Sequence, residues 1–190
     1  MIKIFLFRHG QTTYNKEERF TGWLNPPLTK LGRKQARKIA NILKKKEIKI
    51  YFKTTLLRSS QTLDEVLKFH PECKLIITDD RMIERNYGTL NGKTHSEFIK
   101  NIGNKLLRLD VEGDAYENLS QKNRKILSNM LGEEEYNLIH RGYATPPPKG
   151  ESFKQVEKRV KSFMKDIPWR WAMSYSEFVS FSVLVPGSSW

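Results

Sequence analysis

An Arg-His-Gly tripeptide, Arg8-His9-Gly10, follows the apolar run Ile2 to Phe7 and leads into Gln11-Thr12-Thr13-Tyr14-Asn15, then Thr21-Gly22-Trp23. The order sets one imidazole at a strand's end, beside a guanidinium and several small donors. An imidazole so placed can accept a phosphoryl group while the cation and the donors hold its oxygens. Taken alone the tripeptide reads equally well as a strand followed by a basic loop. Phosphoryl transfer asks mainly for positioning and charge stabilisation, and three further segments offer groups for both. Thr54-Thr55-Leu56-Leu57-Arg58-Ser59-Ser60-Gln61-Thr62 spans a strand-to-helix junction. There Arg58 can present a bidentate fork near a helix N-terminus, a good place for phosphate. By itself Arg58 would pass for a first-turn surface arginine. The other two segments are Ile83-Glu84-Arg85-Asn86-Tyr87-Gly88-Thr89-Leu90-Asn91-Gly92 and His140-Arg141-Gly142-Tyr143-Ala144-Thr145 with its prolines, then Gly150-Glu151-Ser152.

The elements that must carry these groups alternate. Ile2 to Phe7 reads as a buried strand, and Pro26-Pro27 ends the polar loop after it. Thr29 can cap a helix from Lys30 to Lys46, with Leu31, Ala36, Ile39, Ala40 and Leu43 on one face and Lys and Arg on the other. Ile48 to Phe52 is the second strand. A helix from Arg58 to Phe69 follows, with Leu63, Val66 and Leu67 inward, and Pro71 stops it. Leu75 to Thr78 is the third strand. This alternation predicts an α/β fold, a three-layer αβα sandwich on a mostly parallel central sheet. Residues 96–138 are polar, helical in pattern and rich in both charges, which predicts an inserted helical cap within one domain over 1–190. Glu151 to Lys165 is another amphipathic helix, and Phe178 to Val185 reads as a late buried strand. After Ile167 the charge density collapses, only Arg170 and Glu177 remaining, so 168–190 is an atypical tail.

At 190 residues the chain suits one domain with a sizeable core. No apolar run reaches membrane-spanning length, and no basic n-region or cleavage site precedes the first strand. The single Cys73 excludes an internal disulfide and suits a reducing compartment, so a cytoplasmic location without a membrane partner is expected. The net charge of +13 raises the question of nucleic acid. Yet Lys44-Lys45-Lys46 and Lys122, Arg124 and Lys125 fall where helix faces are solvated, without the interleaved aromatics of a single-strand platform. A Lys-rich solvated surface accounts for the charge, which also draws small polyanions towards a pocket. No nucleic-acid partner is expected, and a homo-oligomer stays open.

The run through Arg8-His9-Gly10, with Thr21-Gly22-Trp23, resembles the start of the histidine phosphatase superfamily. Its Glu84-Arg85, Tyr87-Gly88 and Gly92 pattern is similar to that of the bisphosphoglycerate-dependent phosphoglycerate mutases, and the likeness runs collinearly from Ile2 to Lys165 apart from the cap. The resemblance implies that His9 carries a phosphoryl group primed by 2,3-bisphosphoglycerate, with 3- and 2-phosphoglycerate as the small phosphorylated substrates. It implies that Arg8, Asn15, Thr21, Gly22 and Arg58 hold that group. Glu84 would be the general acid and base, its pKa raised by its surroundings, and Arg85 and Tyr87 would touch substrate. Arg141 matches the second of two substrate-gripping arginines, and His140 replaces the first with a weaker, pH-dependent donor. Lys93 lies near the position of a substrate-binding lysine, although His95 falls at the usual spacing. No metal is implied, since cationic side chains stabilise the charge and no ligand cluster has metal spacing. The family's second histidine, after the late strand, is replaced by Pro186. Either the end is degenerate or the gene's last segment is read differently, and the loss of charge after Ile167 favours the latter. Two alternatives to a mutase therefore stand: a histidine-type phosphatase on the same scaffold, and a catalytically impaired phosphoglycerate-binding protein.

Overall fold

A computed structural model of the chain describes residues 4–111, 113–171 and 179–182. Four strands form one sheet: β1 (Ile4–Phe7), β2 (Ile50–Lys53), β3 (Leu75–Thr78) and β4 (Val179–Ser182). Their order is β1-β4-β2-β3 and every pairing is parallel, with Phe7 level with Ser182 and Phe52 level with Phe181. The late strand is therefore an inner strand of the sheet. The helices are α1 (Thr13–Lys16), α2 (Lys30–Leu43), α3 (Leu57–Leu67), α4 (His95–Asp110), α5 (Asp114–Asn118), α6 (Gln121–Arg141) and α7 (Phe153–Trp171).

Strand β2 alternates between two apolar layers, as a strand covered on both faces must. Tyr51 packs with Ala40 and Leu43 of α2 and Leu63 and Val66 of α3, where Phe5 and Phe7 join them. Ile50 and Phe52 face the other way, onto Met82 and onto Phe163 and Ile167 of α7. β1 departs from the expected buried strand. Its Phe5 and Phe7 face the α2 and α3 layer, while Ile4 and Leu6 on the opposite face are 46% and 57% exposed.

Thr29 does cap α2, its side chain accepting from the Gly32 amide at 3.0 Å. The buried positions are Gly32, Ala36, Ala40 and Leu43, whereas Leu31, placed inward from the sequence, is half exposed. Here backbone takes the place of side chain. A Cβ on Gly32 would stand 2.0 Å from the Gln11 carbonyl, so the start of α2 lies directly on the loop that carries His9. The helix stops at Leu43 rather than Lys46. α3 runs from Leu57 to Leu67 rather than from Arg58 to Phe69, and the second strand is shifted to Ile50–Lys53.

The predicted cap resolves into α4, α5 and α6. Thr94 and Glu97 close a capping box at the start of α4, and Ser120 caps α6. α4 and α6 pack at small residues: a Cβ on Gly103 would lie 1.8 Å from the Ser128 carbonyl, and one on Gly132 2.1 Å from that of Ile99. α6 also runs past the predicted limit at Leu138, so His140 and Arg141 occupy its last turn. α7 likewise passes Lys165 and the composition change at Ile167, ending at Trp171. Pro186, read as the replacement of a second histidine, lies outside the described residues.

Candidate active site

The carboxyl end of β1 delivers Arg8, His9 and Gly10. Gly10 has no room for a side chain: a Cβ there would lie 2.1 Å from the Gly32 carbonyl. Its amide donates to Thr62 Oγ1 of α3 at 3.3 Å, and Thr62 donates in turn to the Arg58 carbonyl at 2.8 Å. The turn is thus held from two helices. His9 is buried, and its Nδ1 lies 2.6 Å from the Gly10 carbonyl. A carbonyl only accepts, so Nδ1 carries the proton and Nε2 keeps its lone pair. Burial first, then the charges of Arg58 and Arg8, push the imidazole pKa down to about 3 against the pull of that hydrogen bond. His9 is a neutral base with one free nitrogen.

Arg58, in the first turn of α3, is 1% exposed. Its two terminal nitrogens donate to the carbonyls of Leu24 at 2.9 Å and Gly22 at 2.8 Å, while Nε has no partner. Burial pushes this guanidinium down to about 10, with Glu84 pulling upward and Arg8 adding to the fall. Gly22 holds φ at +48°, and a Cβ on it would lie 2.1 Å from Asn91 Oδ1. That oxygen accepts from the Tyr87 amide at 3.2 Å, and Trp23 Nε1 donates to the Glu84 carbonyl at 2.8 Å. Loop 21–25 therefore fastens Arg58 on one side and the Glu84 segment on the other. Thr21 is buried within it. Asn15 sits apart: it is exposed, and its carboxamide oxygen accepts from the Thr12 amide and hydroxyl, closing the cap of α1.

Glu84 is buried, and its Oε1 accepts from the Arg85 amide at 2.9 Å. Burial raises its carboxyl pKa, opposed by Arg58, by that amide and by the charges of Arg8 and Arg85. Arg85 is fully buried between the Tyr87 and Phe153 rings, at 4.5 and 4.2 Å. One terminal nitrogen donates to the Ile139 carbonyl at 3.0 Å; Nε and the other terminal nitrogen have no partner. Burial and then the charge of Glu84 raise the Tyr87 phenol. His9, Arg8, Arg58, Glu84, Arg85 and Tyr87 therefore share one electrostatic neighbourhood.

The cap meets this group through rings. His140 lies parallel to Tyr136 with centroids 5.0 Å apart and to Tyr87 at 6.3 Å, and His95 is 5.8 Å away beside Phe20. Burial, then His95, Arg85 and Arg141, lower the His140 pKa to about 4 and leave its buried Nδ1 without a partner. Burial also lowers His95, whose Nδ1 faces the Tyr136 hydroxyl at 3.2 Å. Lys93 and Arg141 are exposed. Tyr136, unremarkable in the helical pattern of the cap, was not legible as part of this cluster. Nor was Arg159 of α7, whose charge reads as a surface residue although its spacing from Phe163 puts it on the helix's inner side. Among the described residues no cluster of three or more His, Cys, Asp or Glu could hold a metal ion, and no helix is long and apolar enough to cross a membrane.

The 2,3-bisphosphoglycerate-dependent phosphoglycerate mutase of Pseudoalteromonas atlantica is 26% identical over 165 residues, covering 87% of this chain and 71% of that protein. The Bifidobacterium longum mutase is 31% identical over 150 residues, 77% of this chain, but the match spans only about half (49%) of that relative's length. The alpha-ribazole phosphatase from Shigella flexneri shares the fold with a TM-score of 0.64 and 19% identity, over 95% of this chain and 73% of that one. The family model for branch 1 of the histidine phosphatase superfamily matches residues 4–136, from β1 through the buried histidine and carboxylate into α6. On that match, over more than half its length, the chain belongs to the histidine phosphatase superfamily.

Proposed function

We propose that this chain interconverts 3- and 2-phosphoglycerate by carrying a phosphoryl group on His9, as the names of its mutase relatives suggest. One observation carries the reading: a buried, neutral imidazole whose Nδ1 proton is committed to Gly10, which leaves Nε2 as the nucleophile. In one half-reaction Nε2 attacks one phosphorus of the bisphosphorylated glycerate, a P–N bond forms as the P–O ester bond breaks, and the leaving alkoxide, now that of a monophosphoglycerate, takes a proton from Glu84. The raised carboxyl of Glu84 supports that acid role. In the other, the Glu84 carboxylate removes a proton from the free hydroxyl of a monophosphoglycerate, whose oxygen attacks the phosphoryl group on His9 as the P–N bond breaks and its electron pair returns to Nε2. Arg58 offers its unpartnered Nε–H, and Arg8 its charge, to the phosphoryl oxygens. Thr21 and Gly22 act by anchoring Arg58 within their loop. Asn15 has only its amide nitrogen to spare.

The donor set fits 2,3-bisphosphoglycerate, because Arg58 and Arg85 are two buried guanidiniums that both keep unpartnered N–H groups. Arg58 with Arg8 would hold one phosphoryl group, and Arg85 and Tyr87, with Arg141 at the rim, the other. When bound, that molecule supplies the phosphoryl group that primes His9. Hydrolysis is the second reading, and His140 favours it: the residue in place of a permanent cation is an imidazole pushed well below neutrality. With water as the acceptor, the same His9 and Glu84 give a phosphatase.

Intact-mass spectrometry after incubation with 2,3-bisphosphoglycerate is expected to show an acid-labile phosphoryl adduct that His9→Ala lacks. Incubation with 3-phosphoglycerate then separates the readings, since 2-phosphoglycerate marks the mutase and free phosphate the phosphatase. A folded chain of the right mass that never takes up the adduct overturns both.

A further inference from the structure

The most heavily committed cation beside the candidate site is one that touches none of the groups assigned to chemistry. Arg159, in the middle of α7, has every guanidinium N–H engaged. Its Nε donates to Glu151 Oε1 and one terminal nitrogen to Glu151 Oε2, both at 3.1 Å, a bidentate pair. That same nitrogen donates to the Glu84 carbonyl at 3.1 Å. The other terminal nitrogen donates to the carbonyls of Arg81 at 2.9 Å and Ile83 at 2.6 Å. Glu151 completes the frame: Oε2 accepts from the Asn86 amide at 2.9 Å, and its own amide donates to the Asn86 carbonyl at 2.9 Å. The backbone from Arg81 to Asn86 is thereby gripped at Arg81, Ile83, Glu84 and Asn86. Glu84 is itself gripped through its carbonyl, and Arg85 is presented between the grips at Glu84 and Asn86.

We infer that Arg159 and Glu151 form a positioning pair that fixes the backbone of residues 81–86, and so holds the Glu84 carboxyl in its dry setting and Arg85 between its two rings. The inference rests on the site reading above, in which Glu84 moves protons. Arg159 has no donor left for a ligand, so it acts through the segment it holds. Phe153, the first residue of α7, supplies one of the rings against Arg85, and the helix therefore reaches both residues by separate routes. The Glu84 carbonyl also accepts from Trp23, so the segment is tied to loop 21–25 from its other side. The groups that bear electrostatically on the Glu84 carboxyl are Arg58, Arg8, Arg85 and Tyr87. Arg159 makes no hydrogen bond to that carboxyl, and its charge is paired with Glu151.

That balance gives the test its sign. Removing a cation acting directly would raise the Glu84 midpoint further, whereas releasing the segment lets water reach the carboxyl and lowers it. The full chain, labelled with carboxyl-13C glutamate and assigned by its Glu84→Gln variant, is titrated by NMR. In Arg159→Met the Glu84 midpoint is expected to fall by about one pH unit or more, and in Arg159→Lys by clearly less. A folded Arg159→Met protein whose Glu84 midpoint is unmoved or raised overturns the inference, whatever happens to its melting temperature. If Arg159→Met does not fold, the same comparison on Arg159→Lys and Glu151→Gln decides: a lowered midpoint supports the pair and an unmoved one overturns it. Phosphoryl uptake that persists in Glu84→Gln would instead remove the role given to Glu84, and the titration would still report on the pair.

Discussion

His9 and Glu84 are buried titratable groups whose neutral forms are favoured by the same cause and whose effects on stability run in opposite directions. The His9 pKa falls on folding to about 3. Below pH 6.5 the unfolded chain therefore binds a proton that the native state refuses, and stability is lost as pH falls towards the folded value, by about 1.4 kcal/mol per pH unit. Glu84 has its folded pKa raised, so its contribution is full at low pH and is lost as pH rises through the folded value. Comparing variants separates the two. His9→Asn, which can still donate to Gly10, is expected to flatten the decline in melting temperature between pH 6.5 and pH 4 by thermal denaturation. An unchanged slope would mean that His9 does not stay neutral. At this scale the sequence was informative about which side chains come together, as with His9, Arg58 and Glu84, which are buried in one electrostatic neighbourhood. It was silent on Arg159, because neither its three backbone carbonyl acceptors nor its pairing with Glu151 leaves a periodic or compositional trace.

Elements were legible wherever apolar spacing decided them, and opaque where backbone met backbone. The faces of α3 and the alternation of strand and helix follow the pattern of Leu63, Val66 and their neighbours. Leu31 was misplaced because the tightest contact of α2 is made by Gly32, a residue without a side chain for periodicity to count. The same physics governs the cap. At the α4 and α6 crossing, Gly103→Ala puts a methyl 1.8 Å from the Ser128 carbonyl, which only helix separation relieves. The gain in helix propensity from Gly to Ala, up to about 1 kcal/mol, opposes this, yet overpacking of 1–3 kcal/mol or more is expected to win. Calorimetry should show Gly103→Ala melting several degrees lower, with amide exchange in α4 accelerated. A melting temperature equal to or above that of the parent would show that the helices part at no cost. The ends of α6 and α7 ran further than expected: Ile139, buried against Phe20 and Phe98, draws the end of α6 into the core, and α7 continues through Pro168 to Trp171.

Across the whole molecule, the two apolar layers are unequally complete. The α2 and α3 layer covers β1, but on the far face Ile4 and Leu6 stand largely exposed at a sheet edge. An apolar edge strand invites pairing between copies, and the net charge of +13 opposes it until salt screens the repulsion. Light scattering is expected to show association rising with ionic strength and Leu6→Thr suppressing it, while the melting temperature stays within a few degrees. Equal association in the two proteins would place the contact elsewhere. The position of β4 has a consequence in time rather than in space. During synthesis β1, β2 and β3 leave the ribosome early, yet β1 and β2 have no direct pairing; the strand between them is the last to appear, after the cap and α7. Until Val179–Ser182 emerges, β1 is joined to β2 through the α2 and α3 layer, which Phe5, Phe7 and Tyr51 share, and not by strand pairing. Contacts so distant in sequence form slowly. A ribosome that stalls before Val179 leaves the His9 turn tied to α2 and α3 through Gly32 and Thr62, but with β1 unpaired beside β2, so the sheet beneath the site is closed by the latest-made of its described strands.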